Sequence, residues 1–423
     1  MDAVVLAAGE GTRMRPLTAD RPKPMLPVAD RPLLEHTIEA ARSAGADHII
    51  LVVGYEADVI RTHFGSEWDG LEIEYVEQES RDGTADALRQ AASRLNGEQF
   101  AVLNGDGLYD PPSLRAVFES GPAVGAMRVE DPSQYGVLEL SADGSRVTGV
   151  TEKPADPPSD LVNTGAYVFP GEAVDWLDVG ESERGERELT DVLERACAES
   201  TVAPVEMEDW LDVGRPWDLL EANEWLIGER SRAIAGNVHP GADLQGPVVV
   251  EPGATIHSGV VIEGPAIIRE GATVGPNAYI RGTTLVDRDA AIGHAVEIKN
   301  SVVMHDASIA HLSYVGDSVI GPRVNFGAGT VVANLRHDDA TVPTIVKGEV
   351  VDTGRRKYGC VCGPDAKTGI NTSLDPGVVL DSGRGLRLGK CEPDRSDRLL
   401  GGGDHSHLPV AESRGSGTRR EMP

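Results

Sequence analysis

Aromatic side chains make up only 4% of the 423 residues, and lysine occurs only at positions 23, 153, 299, 347, 357, 367 and 390. Cysteine is confined to positions 197, 360, 362 and 391, without metal-ligand spacing. That excludes a disulfide framework or zinc module and fits a reducing, cytoplasmic setting. No apolar run reaches the roughly 18 residues needed to cross a bilayer, which excludes a helical membrane protein. The start, Met1-Asp2-Ala3-Val4, lacks the basic segment of a secretory signal. Basic residues number 39 against 68 acidic ones, a net charge of −29, so nucleic acid is not an expected partner. An acidic, lysine-poor surface suits a halophilic cell, where high salt screens self-repulsion; an acidic mesophilic protein from a GC-rich genome gives the same composition. Either way, each lysine that remains is informative.

The length suits two or three domains. Residues 1–228 alternate apolar strands with amphipathic helices: strands at Val4–Ala8, Ile49–Val53 and Phe100–Leu103, helices at Leu33–Ser43 (closed by Gly45) and Thr84–Leu95. Continuous Val/Ile/Leu strands joined by helices predict a parallel, Rossmann-like α/β sheet covered on both faces. Its ligands belong at the strands' carboxyl ends, here Gly9–Arg13 and Asn104–Gly107.

After a linker at 229–242 the pattern changes. Val250, Ile256, Ile262, Ile268, Val274, Ile280, Val286, Ile292, Ile298 and Met304 fall at every sixth residue. Ile309 and Val315, then Ile320, Phe326 and Val332, continue after one-residue slips. A six-residue period predicts a solenoid over 243–386, three short strands per coil, each aiming one aliphatic side chain inward. Rings should be scarce in so narrow a prism. A non-repeating insertion interrupts it at about 336–358, and 387–423 reads as a disordered tail or a frameshifted end.

The first turn, Leu6-Ala7-Ala8-Gly9-Glu10-Gly11-Thr12-Arg13-Met14, lacks the third glycine of a dinucleotide fingerprint and the Gly-Lys-Ser/Thr of a Walker loop. It is followed by Pro22-Lys23-Pro24, a rare lysine locked between prolines. Together, residues 6–28 resemble the signature of sugar-1-phosphate nucleotidylyltransferases. The resemblance implies that Gly9, Gly11, Thr12 and Arg13 hold the nucleoside triphosphate and that Lys23 neutralises the reacting phosphates. It further implies that Gln78, Gly83 and Thr84 read the base of UTP or dTTP, and that Asp106 and Asp212 hold Mg²⁺. Gly136, Glu152, Lys153 and Asn163 would form the sugar-phosphate pocket. Taken singly, Asp106 reads equally as a turn residue, Asp212 as the cap of a helix near Pro216, and Glu152-Lys153 as a solvated pair.

In the solenoid, Ala310-His311-Leu312-Ser313-Tyr314 breaks the repeat rhythm, with Arg281, Lys299, Asn325 and Asn334 nearby in sequence. This array resembles the acetyltransferase half of the bifunctional UDP-N-acetylglucosamine pyrophosphorylase/glucosamine-1-phosphate acetyltransferases, in their archaeal branch. That family's fold here is a left-handed parallel β-helix forming trimers, with sites between neighbours. The resemblance implies His311 as general base, Arg281 and Lys299 on the sugar phosphate, Tyr314, Asn325 and Asn334 on the sugar, phosphate or acetyl donor, and acetyl-CoA as co-substrate. The basic run Arg355-Arg356-Lys357 would grip coenzyme A, touch a neighbour, or simply be an exposed loop. Two other readings stay open: a single-activity thymidylyl- or uridylyltransferase with a structural solenoid, and a non-catalytic subunit resembling those of a translation-initiation exchange factor.

Overall fold

The computed structural model describes residues 1–80, 82–182 and 185–386; the expected tail lies outside them. In the first region, strands Asp2–Ala7, His48–Val53, Leu71–Glu77 and Phe100–Asn104 pair in parallel, with Asp2–Ala7 between the second and the last. Alternate residues of these runs enter different cores. Val5, Leu51 and Leu103 pack under the helices Leu33–Ala44 and Pro111–Glu119, whereas Val4, Ile50 and Val102 pack under Thr84–Ala91 and Leu189–Glu199. This double burial explains strands without polar alternation. Helix Leu33–Ala44 ends where Gly45 turns left-handed, its N–H donating to the carbonyls of Ala41 and Arg42. Helix Thr84–Ala91 stops short of the expected Leu95 and tightens into a 3₁₀ turn over Ala92–Arg94.

The sheet is not wholly parallel. Leu161–Phe169 runs antiparallel to Phe100–Asn104 and pairs further with Ala123–Arg128 and Gly136–Leu140. This antiparallel flank supplies the far wall of the cleft described below.

The second region is a left-handed parallel β-helix of three sheets, with eight, eight and seven strands. Partners Val249, Ile267 and Leu285 are one 18-residue coil apart; Val302 and Val319 follow after 17. Two corrections to the sequence reading follow. The first coil begins inside the expected linker, with Ala233–Ile234 and Asn237–Val238 already paired into the sheets. The slip comes one repeat early, between Ile298 and Val303, so Val303 points into the solenoid core while Met304 faces outward. Phe326 is the one ring in that core among the described residues.

Met304 is nevertheless fully buried, because the two regions share an apolar junction. One sheet carries aliphatics on its outer face as well: Ile267, Leu285, Val302, Val319 and Val361. They pack against Trp217, Leu220 and Ile227 around the helix Asp218–Gly228, and against Met14, Leu17 and Leu26. The insertion forms a hairpin, Pro343–Val346 with Glu349–Asp352. It returns through Tyr358, fully buried with its ring edge-on to Trp217 at 6.1 Å.

Candidate functional site

Three segments converge at the carboxyl ends of Asp2–Ala7 and Phe100–Asn104. Gly11 adopts φ 63°, and a Cβ there would meet Lys23 Cβ at 2.6 Å, so glycine is what lets the lysine segment lie on the loop. Lys23, in the turn Lys23–Met25, is buried and donates to the Asp106 carboxylate. Asp212 ends a short strand, Trp210–Asp212, whose register sets it opposite Gly107, and the Val213 N–H donates to the Asp106 carbonyl at 3.1 Å. The topology therefore brings together two carboxylates 106 positions apart in sequence.

Their protonation is pulled in opposite directions. Burial raises the Asp106 carboxyl, but the Lys23 ammonium and then the Arg13 guanidinium overcome it and hold the group below the usual carboxylate range. Asp212 is pushed up, first by burial and then by the charge of Asp106. Asp218, not Asp212, secures the turn before the helix, accepting from Gly214 N at 2.9 Å and Arg215 N at 2.7 Å. Asp212 is thus left with no capping duty. Two crowded oxygen donors suit a hard divalent cation, which would draw its other ligands from phosphate and water. Among the described residues no cluster of three or more His, Cys, Asp and Glu could hold a metal unaided.

Asp106 and Asp212 line a cleft of about 360 Å³ together with Gly9, Arg13, Gln78, Gly83, Thr84, Gly136, Glu152, Lys153 and Asn163, whereas Lys23 is not among the lining residues and meets the cleft through Asp106. A Cβ on Gly9 would touch no protein atom within 4 Å, so this glycine keeps room for something outside the chain. Gly83 (φ 112°) is needed for packing, since a Cβ would strike the Arg187 carbonyl oxygen at 2.3 Å. Gln78 donates both amide hydrogens internally, to Gly83 O at 3.1 Å and Asp86 Oδ2 at 2.9 Å, and so presents its carbonyl to the cleft. Asn163 is likewise engaged, with Tyr167 and the Gly165 N–H, across the irregular step between the two strands. Lys153 sits at φ 45°, an uncommon conformation for a side-chain-bearing residue, and pairs with Glu152 at 3.0 Å. Gly11 and Thr12 do not line the cleft; they build the turn behind it.

Three buried polar atoms on these walls lack a partner among the described residues: Thr164 Oγ1, Thr190 Oγ1 and Trp210 Nε1. Thr164 and Trp210 sit beside the expected Asn163 and Asp212, whereas sequence reasoning missed Thr190, which lies in no motif and is revealed only by its convergence on the cleft. Tyr135, edge-on to Trp210 at 5.5 Å, has its hydroxyl pushed up to about 12 by burial and the nearby Asp212.

On the solenoid, one sheet face gathers most of the second set. Arg281 and Lys299 are register neighbours in adjacent coils, followed by Gly316. Lys299 Nζ donates to the buried Asp317 at 2.6 Å, and Asn334 donates to Asp317 and, at 3.2 Å, to the Tyr314 hydroxyl. A Cβ on Gly316 would meet the Tyr314 oxygen at 2.5 Å, so glycine opens the space that the Tyr314–Asn334 pair fills. Arg281 pairs with Glu297 at 2.8 Å. His311 stands exposed at the corner before this sheet, and Asn325 is exposed on the sheet across that corner. Among the described residues no hydrogen bond or ion pair engages the His311 side chain. In the basic run, Arg355 binds Glu224 of the first region. Arg356 pairs with Asp339 at 2.6 Å. Glu224 also accepts from Asn300 at 2.8 Å, and Asn300 donates in turn to Asp317 at 3.0 Å.

Fold and cleft together define a nucleotidyl transferase carrying a β-helix. Residues 2–228 match the nucleotidyl transferase family and residues 262–383 the GMPPB C-terminal domain. The chain is 41% identical to the bifunctional protein GlmU of Methanocaldococcus jannaschii, over 90% of this chain and 92% of that protein. It is 42% identical to the protein of the same name from Methanococcus vannielii, over the same shares. Against the bifunctional sugar-1-phosphate nucleotidylyltransferase/acetyltransferase of Sulfurisphaera tokodaii it is 37% identical, over 90% and 94%. The chain belongs to the nucleotidyl transferase family, in the branch of the bifunctional GlmU proteins. No helix among the described residues is long and apolar enough to cross a membrane.

Proposed function

We propose that the protein makes UDP-N-acetylglucosamine in two reactions, acetyl transfer on the solenoid and uridylyl transfer in the cleft. One observation carries the reading: in a lysine-poor chain, each region sets a lysine against an aspartate, Lys23 on Asp106 and Lys299 on Asp317.

In the cleft, an oxygen of the sugar 1-phosphate attacks the α-phosphorus of UTP in line, and pyrophosphate leaves. Arg13 and Lys23 offset the charge that builds on the phosphates, and such positioning and neutralisation is most of what phosphoryl transfer asks of a protein. Asp106 and Asp212 would hold Mg²⁺, whose contribution is further charge neutralisation at the phosphates. The Gln78 carbonyl suits the N3–H of uracil, and of thymine equally, so dTTP is an alternative donor. Glu152, Lys153, Gly136 and Asn163 face the sugar phosphate.

On the solenoid, the amine of glucosamine-1-phosphate attacks the carbonyl of acetyl-CoA, the coenzyme A thiol leaves, and His311 takes the ammonium proton. Arg281, Lys299, Tyr314, Asn325 and Asn334 would position the sugar phosphate and acetyl donor. Exposure of His311 and Asn325 supports sites completed by a neighbouring copy in a homotrimer, and we place the enzyme in the cytoplasm of a salt-accumulating cell. A structural solenoid is favoured by one fact: Arg281 and Lys299 are both neutralised within the chain, by Glu297 and Asp317.

The deciding assay is coenzyme A release from acetyl-CoA with glucosamine-1-phosphate in concentrated KCl. Release that needs the sugar and vanishes in His311→Ala establishes the bifunctional reading. Folded protein that turns over UTP without any release reduces the solenoid to a scaffold.

A further inference from the structure

A second cleft, of about 670 Å³, opens between the two regions, on the side away from the Lys299 cluster's Asp317. In a chain of net charge −29, four arginines line it: Arg21, Arg31, Arg269 and Arg288. Two of them are matched. Arg31 lies 3.4 Å from Asp30 and 3.6 Å from Glu35; Arg269 lies 2.9 Å from Asp287 and 3.5 Å from Glu251. The other two have no carboxylate within ion-pair distance among the described residues. Arg288 is exposed on a solenoid corner. Arg21 is half-buried, and burial draws its guanidinium below the usual arginine value despite Asp20 and Asp287.

The only hydrogen bond Arg21 makes among the described residues is to His305 Nε2, at 2.7 Å. A guanidinium has no acceptor, so Nε2 must accept, and the ring proton sits on Nδ1, donating to Asp306 Oδ2 at 2.9 Å. The His305 ring thus meets Arg21 with a lone pair and cancels none of its charge. A half-buried cation facing a cavity, with Asp20 and Asp287 near it but beyond ion-pair distance and a ring nitrogen as its hydrogen-bond partner, is what an anion site looks like before its ligand arrives.

We propose that this inter-region cleft binds a phosphate-bearing small molecule between Arg21 and Arg288. The inference does not depend on which sugar nucleotide the catalytic cleft makes. Arg21 is joined to Lys23 through Pro22 alone, whose ring fixes φ near −69° at the start of the lysine's turn. A phosphate drawn to Arg21 therefore acts two residues from the Lys23–Asp106 pair. The ligand would report a phosphate pool to the catalytic cleft.

The test uses inorganic pyrophosphate, titrated calorimetrically into the full chain without divalent ions. The wild type should take up one more equivalent per chain than Arg288→Glu, or bind that equivalent at least tenfold more tightly. Arg288→Lys should retain it. Because Arg288 is exposed and its side chain holds nothing in place, initial rates of UTP turnover should be the same in all three proteins. A single equivalent in the wild type, or Arg288→Glu titrating like the wild type, overturns the site.

Discussion

On the proposed reading, the cleft and the solenoid face would hold a sugar phosphate in different ways. The cleft is walled by loops from both halves of a mixed sheet, and its unpartnered polar atoms converge on one space inside a single chain. The solenoid face is one wall only. Its coils stack Arg281, Lys299 and Gly316 in register, while His311 and Asn325 look outward from neighbouring faces. A sheet whose strands alternate in direction can curl around a ligand; a prism of parallel coils stays flat and needs a second surface.

The largest test of that contrast is to disable one place and read the other. Asp106→Asn should lower uridylyl transfer by about a thousandfold, the scale of losing one preorganised electrostatic contact to the reacting group, and leave acetyl transfer intact. His311→Ala should do the converse, by about a hundredfold or more. Loss of both rates in either folded variant would show that the sites are not separate.

Next in size is the junction. Leu285→Ala removes a fully buried side chain where the two regions meet and should cost about 3 kcal/mol in denaturant unfolding. Two resolved transitions in this variant, against one in the parent, would show that the junction is what makes the regions unfold together.

Acid sharpens the contrast further. His36 donates to the Val28 carbonyl at 3.0 Å, and burial draws its ring down to about 4. The unfolded chain, with an ordinary histidine, binds the proton more readily. The stabilisation is therefore complete above about pH 6.5 and is lost as pH falls from there towards 4, by about 2 kcal/mol at pH 5. His36→Gln should flatten this part of the stability profile. An unchanged profile would remove His36 from the acid response.

The smallest effect probes a polar contact from the first region to the Lys299–Asp317 cluster. Glu224→Ala frees Asn300, which holds Asp317, and should raise KM for glucosamine-1-phosphate about threefold, as expected of a part-exposed polar contact. Uridylyl transfer should not change. A fall in kcat alone would point to something other than positioning.

Much of this was legible in the sequence. The parallel strands, the closing of the first helix at Gly45 and the six-residue ladder are local patterns, and local patterns survive in one dimension. The cleft was legible through short motifs, yet Thr190 was not, because nothing near it in the chain marks it. Met304 was misassigned because an aliphatic residue on a strand next to a second apolar body is buried on either face. The signal was present: in the sheet through Ile267, Leu285 and Val302, apolar residues occupy both faces, as they do in the first region's parallel strands. The pairing of Lys299 with Asp317, and of Arg355 with Glu224, needed three dimensions.

That doubly apolar sheet also bears on why the two regions share one polypeptide. Cut apart, the solenoid would present to water an unbroken aliphatic stripe one coil after another, and the first region would bare Trp217, Leu220 and Ile227. Neither half would stay dispersed at cellular concentration. Their fusion is then enforced by solvation, whatever the order in which substrates visit them, and a split gene would need new surface residues before it needed new catalysis.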